Sequence, residues 1–380
     1  MRIKVILLFF LVSAKLSFAQ QKSANSSLRS DNDRIIVISG GGARGAWGVG
    51  LLQGIMAHSG IHYSTAFGTS TGSLMAPFIL TDDTAKLHVG YTGVTQSAIF
   101  NVNPFSTKVV NGQVESNIRW LSAVYRLITR KKTLGESQPL KNKIDNLIDA
   151  DMFNQIKSRD LNLSVAVTNM STGEVEIKSS KDYNYPDMCN WIWASANEPI
   201  WMSYYLNNGN YYVDGGVRDV IPLRQALEVA FDKKYTHLDV IINNSQNTLD
   251  PFPGKDTKFD WLGSLVRLLD VYNQGTVSND IVVGNYMDKL HNLELTCGNS
   301  PAGCDTCEGV PLKITFYYMP SELAVNYRNE LAFFPDQMAK LYIKGLEEGN
   351  VSENINDHLL KVEFNIINSK KNQMLLNKDK

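Results

Sequence analysis

Strands alternating with helices along most of this 380-residue chain predict an α/β protein, with a mostly parallel central sheet and helices on both faces. Three observations carry that expectation. The apolar run Arg34-Ile35-Ile36-Val37-Ile38-Ser39 leads into a glycine-rich turn and then a helical pattern over residues 46–58 that reads as amphipathic. A second run, Tyr63-Ser64-Thr65-Ala66-Phe67, leads into Gly68-Thr69-Ser70-Thr71-Gly72 and a helix starting near Ser73. Strand-like segments at 161–168, 174–177, 210–214, 239–242 and 312–318 then alternate with helical ones at 223–231, 259–290 with interruptions, and 335–348. Between the second strand and residue 161 the pattern predicts helices near 116–130 and 139–147, and Gly173 marks the turn between two neighbouring strands. With 43% apolar and 20% charged residues, the composition is that of an ordinary globular protein with a large core, and no repeat interrupts it.

The elements matter because of what lies at their ends. Gly68-Thr69-Ser70-Thr71-Gly72 is a G-x-S-x-G elbow, a sharp strand-to-helix turn in which small flanking residues let a serine hydroxyl stand clear of the backbone. The helix behind it points its N-terminus at Ser70 and favours negative charge there. Gly40-Gly41-Gly42-Ala43-Arg44-Gly45 also fits the dinucleotide fingerprint G-x-G-x-x-G. That reading wants an acidic residue at the end of the second strand, whereas this second strand runs into the serine elbow, so no nucleotide cofactor is expected. The converging amides of the turn suit a tetrahedral oxyanion equally well. The third segment, Asn210-Tyr211-Tyr212-Val213-Asp214-Gly215-Gly216, is a short strand ending in an acid and two glycines, alone no more than a turn.

Together the three segments resemble the patatin-like phospholipase family, whose pattern is a G-G-G-x-R-G loop, a G-x-S-x-G elbow and a D-G-[GA] aspartate, in this order. The resemblance extends to Trp193-Ala194-Ser195-Ala196-Asn197-Glu198-Pro199 and to Val217-Arg218-Asp219-Val220-Ile221-Pro222-Leu223, and spans about 34–349. Glu198 departs from the family, which commonly has an apolar residue there. The resemblance implies a patatin-like fold and a Ser-Asp dyad, with Ser70 as nucleophile and Asp214 as base. It implies an oxyanion hole built from Gly40, Gly41, Gly42, Arg44 and Gly45, the amides around Gly41 and Gly42 acting as donors and Arg44 ordering the loop. Gly68 and Gly72 shape the elbow, and Gly215 and Gly216 the aspartate turn. A lone aspartate, at a reference pKa of about 3.9, is a weak base, so such a dyad needs Asp214 desolvated and hydrogen-bonded to Ser70. The rival is a triad in the order Ser70, Asp214, His237, with His237 just ahead of a strand in a surface-turn context. His58, His62, His88, His291 and His358 show no metal spacing, and no metal is expected.

The N-terminus reads as a signal peptide over residues 1–19: basic Met1-Arg2-Ile3-Lys4, a short apolar core, and Ser17-Phe18-Ala19 before cleavage. An exported protein is expected, followed by a flexible leader over 20–33, one domain over 34–349 and a C-terminal extension over 350–380 with a frayed end. Loss of Arg2, Lys4 and Lys15 takes the formal charge from −1 to −4, which argues against nucleic acid and against strong recruitment to anionic membranes. Export also suits a local disulfide among Cys297, Cys304 and Cys307, with Cys189 a buried thiol or a partner of the odd cysteine. Trp191, Trp193, Trp201, Tyr204, Tyr205, Tyr211 and Tyr212 precede the aspartate as an acyl-chain wall or, more commonly for such rings, plain core. The basic turn Arg130-Lys131-Lys132 is read mainly as solvated, with a transient touch on phospholipid headgroups allowed. The chemistry expected is hydrolysis of a lipid or phospholipid ester through an acyl-enzyme on Ser70. A small-ester esterase or thioesterase with the same dyad, or a silent lipid-binding protein, stand as alternatives, and nothing in the chain speaks to its oligomeric state.

Overall fold

The computed structural model describes residues 33–110, 113–245, 271, 275–289, 312–327 and 330–350. The expected signal peptide, leader and C-terminal extension lie outside them apart from Asp33 and Asn350, as do Cys297, Cys304, Cys307, His291, His358 and much of the 259–290 segment. The first strand, β1 (Asp33–Ile38), lies inside the sheet, with a parallel strand on each side. Its four consecutive apolar residues explain why: Ile35 and Val37 enter one core, Ile36 and Ile38 the other, all fully buried. A continuous apolar run of this kind marks a parallel strand covered on both faces.

A 3-10 turn (Gly42–Arg44) leads into α1 (Gly45–Ser59), β2 (His62–Thr69) and α2 (Thr71–Leu80). Helices α3 (Thr84–Thr92) and α4 (Gln96–Ile99) precede a hairpin of β3 (Phe105–Val110) and β4 (Gln113–Ile118). Then come α5 (Trp120–Ile128), α6 (Gln138–Leu147), α7 (Ala150–Ser158), β5 (Asn162–Asn169) and β6 (Val175–Ser179). The second half adds α8 (Asp187–Ser195), β7 (Tyr205–Asn207), β8 (Asn210–Asp214), α9 (Leu223–Asp232) and β9 (His237–Ile242). A helix over 275–289, α10, is followed by β10 (Lys313–Tyr318), α11 (Ser321–Asn326) and α12 (Pro335–Gly349).

The eight-stranded sheet runs β10-β9-β1-β2-β5-β8-β7, with β6 also on β5. The pairs from β10 to β5 are parallel, and β6, β8 and β7 join antiparallel, so the sheet is mixed but mostly parallel as expected. Apolar residues of α1, α2 and α12 bury one face, and those of α9 and α10 the other. No helix among the described residues is long and apolar enough to cross a membrane.

Two expectations need correction. The 46–58 helix is not amphipathic: from Gly45 to Leu52 every residue is buried, because the helix lies between the sheet and α12. Glycines allow that crossing, since a Cβ on Gly50 would lie 2.0 Å from the Tyr342 carbonyl oxygen and one on Gly345 2.0 Å from that of Trp47. Residues 116–118, expected to be helical, are the end of a strand, and the hairpin had no sequence counterpart.

Candidate active site

β5 brings the two chemical residues together. Its Ser164–Thr168 edge is taken by β6, so β2 and β8 must share the opposite edge. β2 pairs along that edge up to Thr69 opposite Ala166, and β8 takes over at the next residue, with Asp214 opposite Val167. Where β2 leaves the sheet at its elbow, the antiparallel β8 delivers a carboxylate. Residues 70 and 214, far apart in sequence, therefore meet at one step of one strand.

Ser70 has φ 54° and ψ −122°, a conformation that a non-glycine residue adopts at a cost of about 1–3 kcal/mol. The surroundings hold it there. Its N–H donates to the fully buried Ser195 Oγ at 3.1 Å, and its carbonyl accepts from the Ser73 N–H at 3.0 Å and the Ser73 hydroxyl at 2.6 Å. A Cβ on Gly72 would lie 2.1 Å from the Ile38 carbonyl oxygen, so only glycine lets the elbow sit against β1. Ser70 itself is half-buried at the head of α2.

The glycine turn lies beside it, with a Cβ on Gly40 reaching to 3.3 Å from the Ser70 Cβ. Most of its amides are occupied. Gly40 donates to the Val220 carbonyl at 3.2 Å, Ala43 to that of Glu330 at 2.8 Å, Arg44 to that of Gly41 at 3.0 Å, and Gly45 within the turn. The amides of Gly41 and Gly42 have no protein acceptor among the described residues. Gly41 and Gly42 have φ of 145° and 51°, a left-handed course suited to glycine. Arg44 ties the turn down: Nε donates to the Tyr327 carbonyl at 2.8 Å, and Nη1 contacts Asn244 Oδ1 and the Glu330 carboxylate. The segment around Glu330 thus lies against the turn.

Asp214 is fully buried at the end of β8. Its N–H donates to the Asn197 carbonyl at 2.9 Å, and its Oδ1 accepts from the Gly216 N–H at 2.7 Å. The Ser70 hydroxyl is near enough to favour the ionised carboxylate and lower its pKa. Desolvation pushes the Asp214 pKa up to about 7, against the lowering effect of Ser70 and of the Gly216 hydrogen bond, and the Glu330 charge adds to the rise. Arg44 pairs with Glu330 and so tempers that push. A Cβ on Gly215 would lie 2.4 Å from the Ala166 carbonyl oxygen, which is why the acid is followed by glycine.

One short stretch holds both partners. Ser195 anchors the Ser70 amide and Asn197 the Asp214 amide, and Asn197 Oδ1 in turn accepts from the Ser137 hydroxyl. The sequence drew attention to 193–199 as a likeness, but assigned neither residue a task. Glu330 went unnoticed altogether, because nothing in its local sequence announces a contact with a turn nearly three hundred residues earlier.

The remaining expectations fall elsewhere. His237 opens β9, whereas Ser70 follows the last residue of β2, so it stands at the opposite end of the parallel strands from the elbow. Its ring contacts the Thr236 hydroxyl at 2.9 Å. His62 pairs with Asp82 and His88 stacks on Tyr342. No cluster of three metal-ligating acids, histidines or cysteines occurs among the described residues. Cys189 is a free, fully buried thiol whose pKa burial pushes up to about 12, which makes it inert. The aromatic group packs on itself: Trp191 meets Tyr183, Tyr205 and Tyr212 edge-on at 4.9–5.4 Å, with the Lys178 ammonium 4.4 Å above its ring. Trp191, Trp193, Trp201 and Tyr212 are core, Tyr205 is packed half-buried against them, and Tyr204 and Tyr211 are half-exposed.

A mostly parallel α/β sheet with a strained serine at one strand end, a buried aspartate beside it and a glycine turn alongside defines a patatin-type α/β protein. The model of the patatin-like phospholipase family matches residues 36–227, and the chain belongs to that family. Among solved structures, VipD from Legionella pneumophila is similar at 13% identity and a TM-score of 0.38, over 83% of this chain and 66% of that one, just under two thirds of its length. No curated protein sequence matches this chain.

Proposed function

We propose that this chain hydrolyses carboxylic esters of lipids through an acyl-enzyme on Ser70, with Asp214 as the base. Ser70 Oγ attacks the ester carbonyl as its proton passes to Asp214. The carbonyl oxygen takes up negative charge and is held by the Gly41 and Gly42 amides and the N-terminus of α2. The carbon–oxygen bond to the alcohol then breaks, the proton moves from Asp214 to the departing alkoxide, and the acyl group stays on Ser70. Water repeats the sequence, giving its proton to Asp214 and releasing the fatty acid as Ser70 recovers its own.

The observation that carries this reading is the register of β2 and β8 on β5, which sets the strained Ser70 beside a buried carboxylate raised to about 7, close to the pH at which a base works best. Two loop amides without protein acceptors among the described residues lie in the adjacent turn. The same dyad serves a small-ester esterase or thioesterase, and family membership favours the lipid. The fold supports an elbow held in a strained conformation, which a silent lipid-binding protein has no need to keep. We place the activity outside the cytoplasm on the strength of Met1 to Ala19, so the exported protein should begin at Gln20. Mixed phospholipids and short esters incubated with the mature protein should release fatty acids from phospholipid, and Ser70→Ala should release none. Full turnover by Ser70→Ala removes the assignment.

A further inference from the structure

Helix α5 is built inside out. Its polar side turns inward: Arg126 is buried, its Nε donating to the Thr133 carbonyl at 2.6 Å and its Nη2 to Glu136 at 2.9 Å, with Ala123 buried on the same side. Its large apolar residues turn outward instead. Leu121 is 86% exposed, Ile128 76%, Tyr125 65%, Leu127 58% and Trp120 53%. With Val124 they cover a continuous arc of about 160° on an ideal helix of 3.6 residues per turn. Scattered surface leucines need no explanation, but an unbroken arc on one helix marks an interaction site.

The charge around the arc selects the partner. From Ser116 to Gly135 the chain carries Arg119, Arg126, Arg130, Lys131 and Lys132 and no acid, within a protein whose formal net charge is −1. Arg119, Arg130, Lys131 and Lys132 are exposed at the two ends of the helix. An apolar face of Trp, Tyr, Leu and Ile with cations at its borders is the pattern of a helix that lies in the plane of a membrane surface. There the rings sit at headgroup level and the cations meet anionic lipid. The helix also connects to the site. The segment after it donates from the Leu134 N–H to the Ile200 carbonyl at 2.7 Å and from the Ser137 hydroxyl to Asn197, whose carbonyl holds the Asp214 amide.

We propose that α5 and the basic turn behind it are the element by which this protein docks on an anionic phospholipid surface, burying the Trp120–Ile128 apolar arc among the headgroups. The choice of a bilayer over a protein partner rests on the lipid hydrolase reading and on the local excess of positive charge. The surface itself does not depend on catalysis, so binding can be read with chemistry removed.

The mature Ser70→Ala protein is sedimented with vesicles of phosphatidylcholine alone or with one third phosphatidylglycerol. It should bind the anionic vesicles, more weakly as salt is raised. Adding Leu121→Asp and Ile128→Asp should weaken binding at least tenfold. Arg130→Ala with Lys131→Ala should weaken it about tenfold and flatten the salt dependence. With Ser70 intact, the Leu121→Asp/Ile128→Asp protein should hydrolyse a soluble monomeric ester like the parent, which shows that it is folded. If no ester is turned over but vesicle binding still depends on the arc, the hydrolase reading fails and the docking surface stands. Vesicle binding unchanged by the substitutions, no vesicle binding at all, or a dimer in solution that the substitutions dissociate would each overturn the proposal.

Discussion

In the proposed mechanism the carboxylate of Asp214 sets the pH at which the site can act. It is the group that must be ionised to take the Ser70 proton, and burial raises it to about 7. The rate kcat/KM should therefore climb with pH along an acid limb centred near 7, and level off above it. Asp214→Asn keeps the shape but not the base, so it should lower the rate by about 10²–10⁴-fold and abolish that limb. A limb that survives in Asp214→Asn belongs to another group. Ser195 is a positioning residue, holding the strained Ser70 amide at 3.1 Å. Its loss in Ser195→Ala should lower kcat by about threefold to tenfold, the worth of one net hydrogen bond, with KM little changed. Ser195→Thr, which keeps the hydroxyl, should recover part of the loss. At this scale the sequence was informative about Ser70, Asp214 and the glycines, because each stands in a motif with a local cause. Ser195, Asn197 and Glu330 act through contacts across the fold, which no local pattern encodes.

Among the elements, the glycine turn and the segment around Glu330 form one unit. A Cβ on Gly42 would lie 2.2 Å from the Glu330 carbonyl oxygen, and Gly42 has φ 51°. Gly42→Ala must therefore move both the turn and the segment packed on it, along with the amides it presents. Turnover should fall by about 10²–10³-fold, the usual cost of losing one oxyanion donor, while KM changes far less. A rise in KM alone would make the turn a substrate contact rather than an oxyanion cradle. The central strands were legible because a run such as Ile35 to Ile38 has only one stable environment. The hairpin was not: Phe105-Ser-Thr-Lys-Val-Val and Gln113-Val-Glu-Ser-Asn-Ile are mostly polar, and the strong helical signal that starts at Trp120 ran backward over the second strand. The handover from β2 to β8 along β5, which creates the site, depends on register and could not be read at all.

For the molecule as a whole, several buried or half-buried carboxylates trade stability for their positions. Besides Asp214, desolvation raises Asp219 to about 7, and raises Asp280 to about 8 with help from the Asp219 charge. Asp280 caps the Ile221 N–H at 3.1 Å, and the Asp219 carbonyl accepts from Thr69 at 3.1 Å, so this pair underlies the elbow and the aspartate turn. Folded pKa values above the unfolded value of about 3.9 mean that the native state binds more protons between about pH 4 and 8. Stability from these groups is thus full at the acid end of that window and falls as pH rises through it. The melting temperature should drop on the order of 5 °C or more from pH 5 to pH 8, and Asp219→Asn with Asp280→Asn should flatten the decline. A melting temperature that rises over this range would show that the groups are not desolvated as described.

The central claim is that Ser70 carries the acyl group and that Asp214 takes the proton from its hydroxyl. Mass spectrometry of the mature protein after brief exposure to a fluorophosphonate, with peptide mapping of the adduct, addresses that most directly. One adduct should form, on the peptide containing Ser70. It should form at least 10²-fold more slowly in Asp214→Asn and at nearly the parent rate in His237→Ala. An adduct on any other residue, or labelling of Asp214→Asn at the parent rate, would contradict the account.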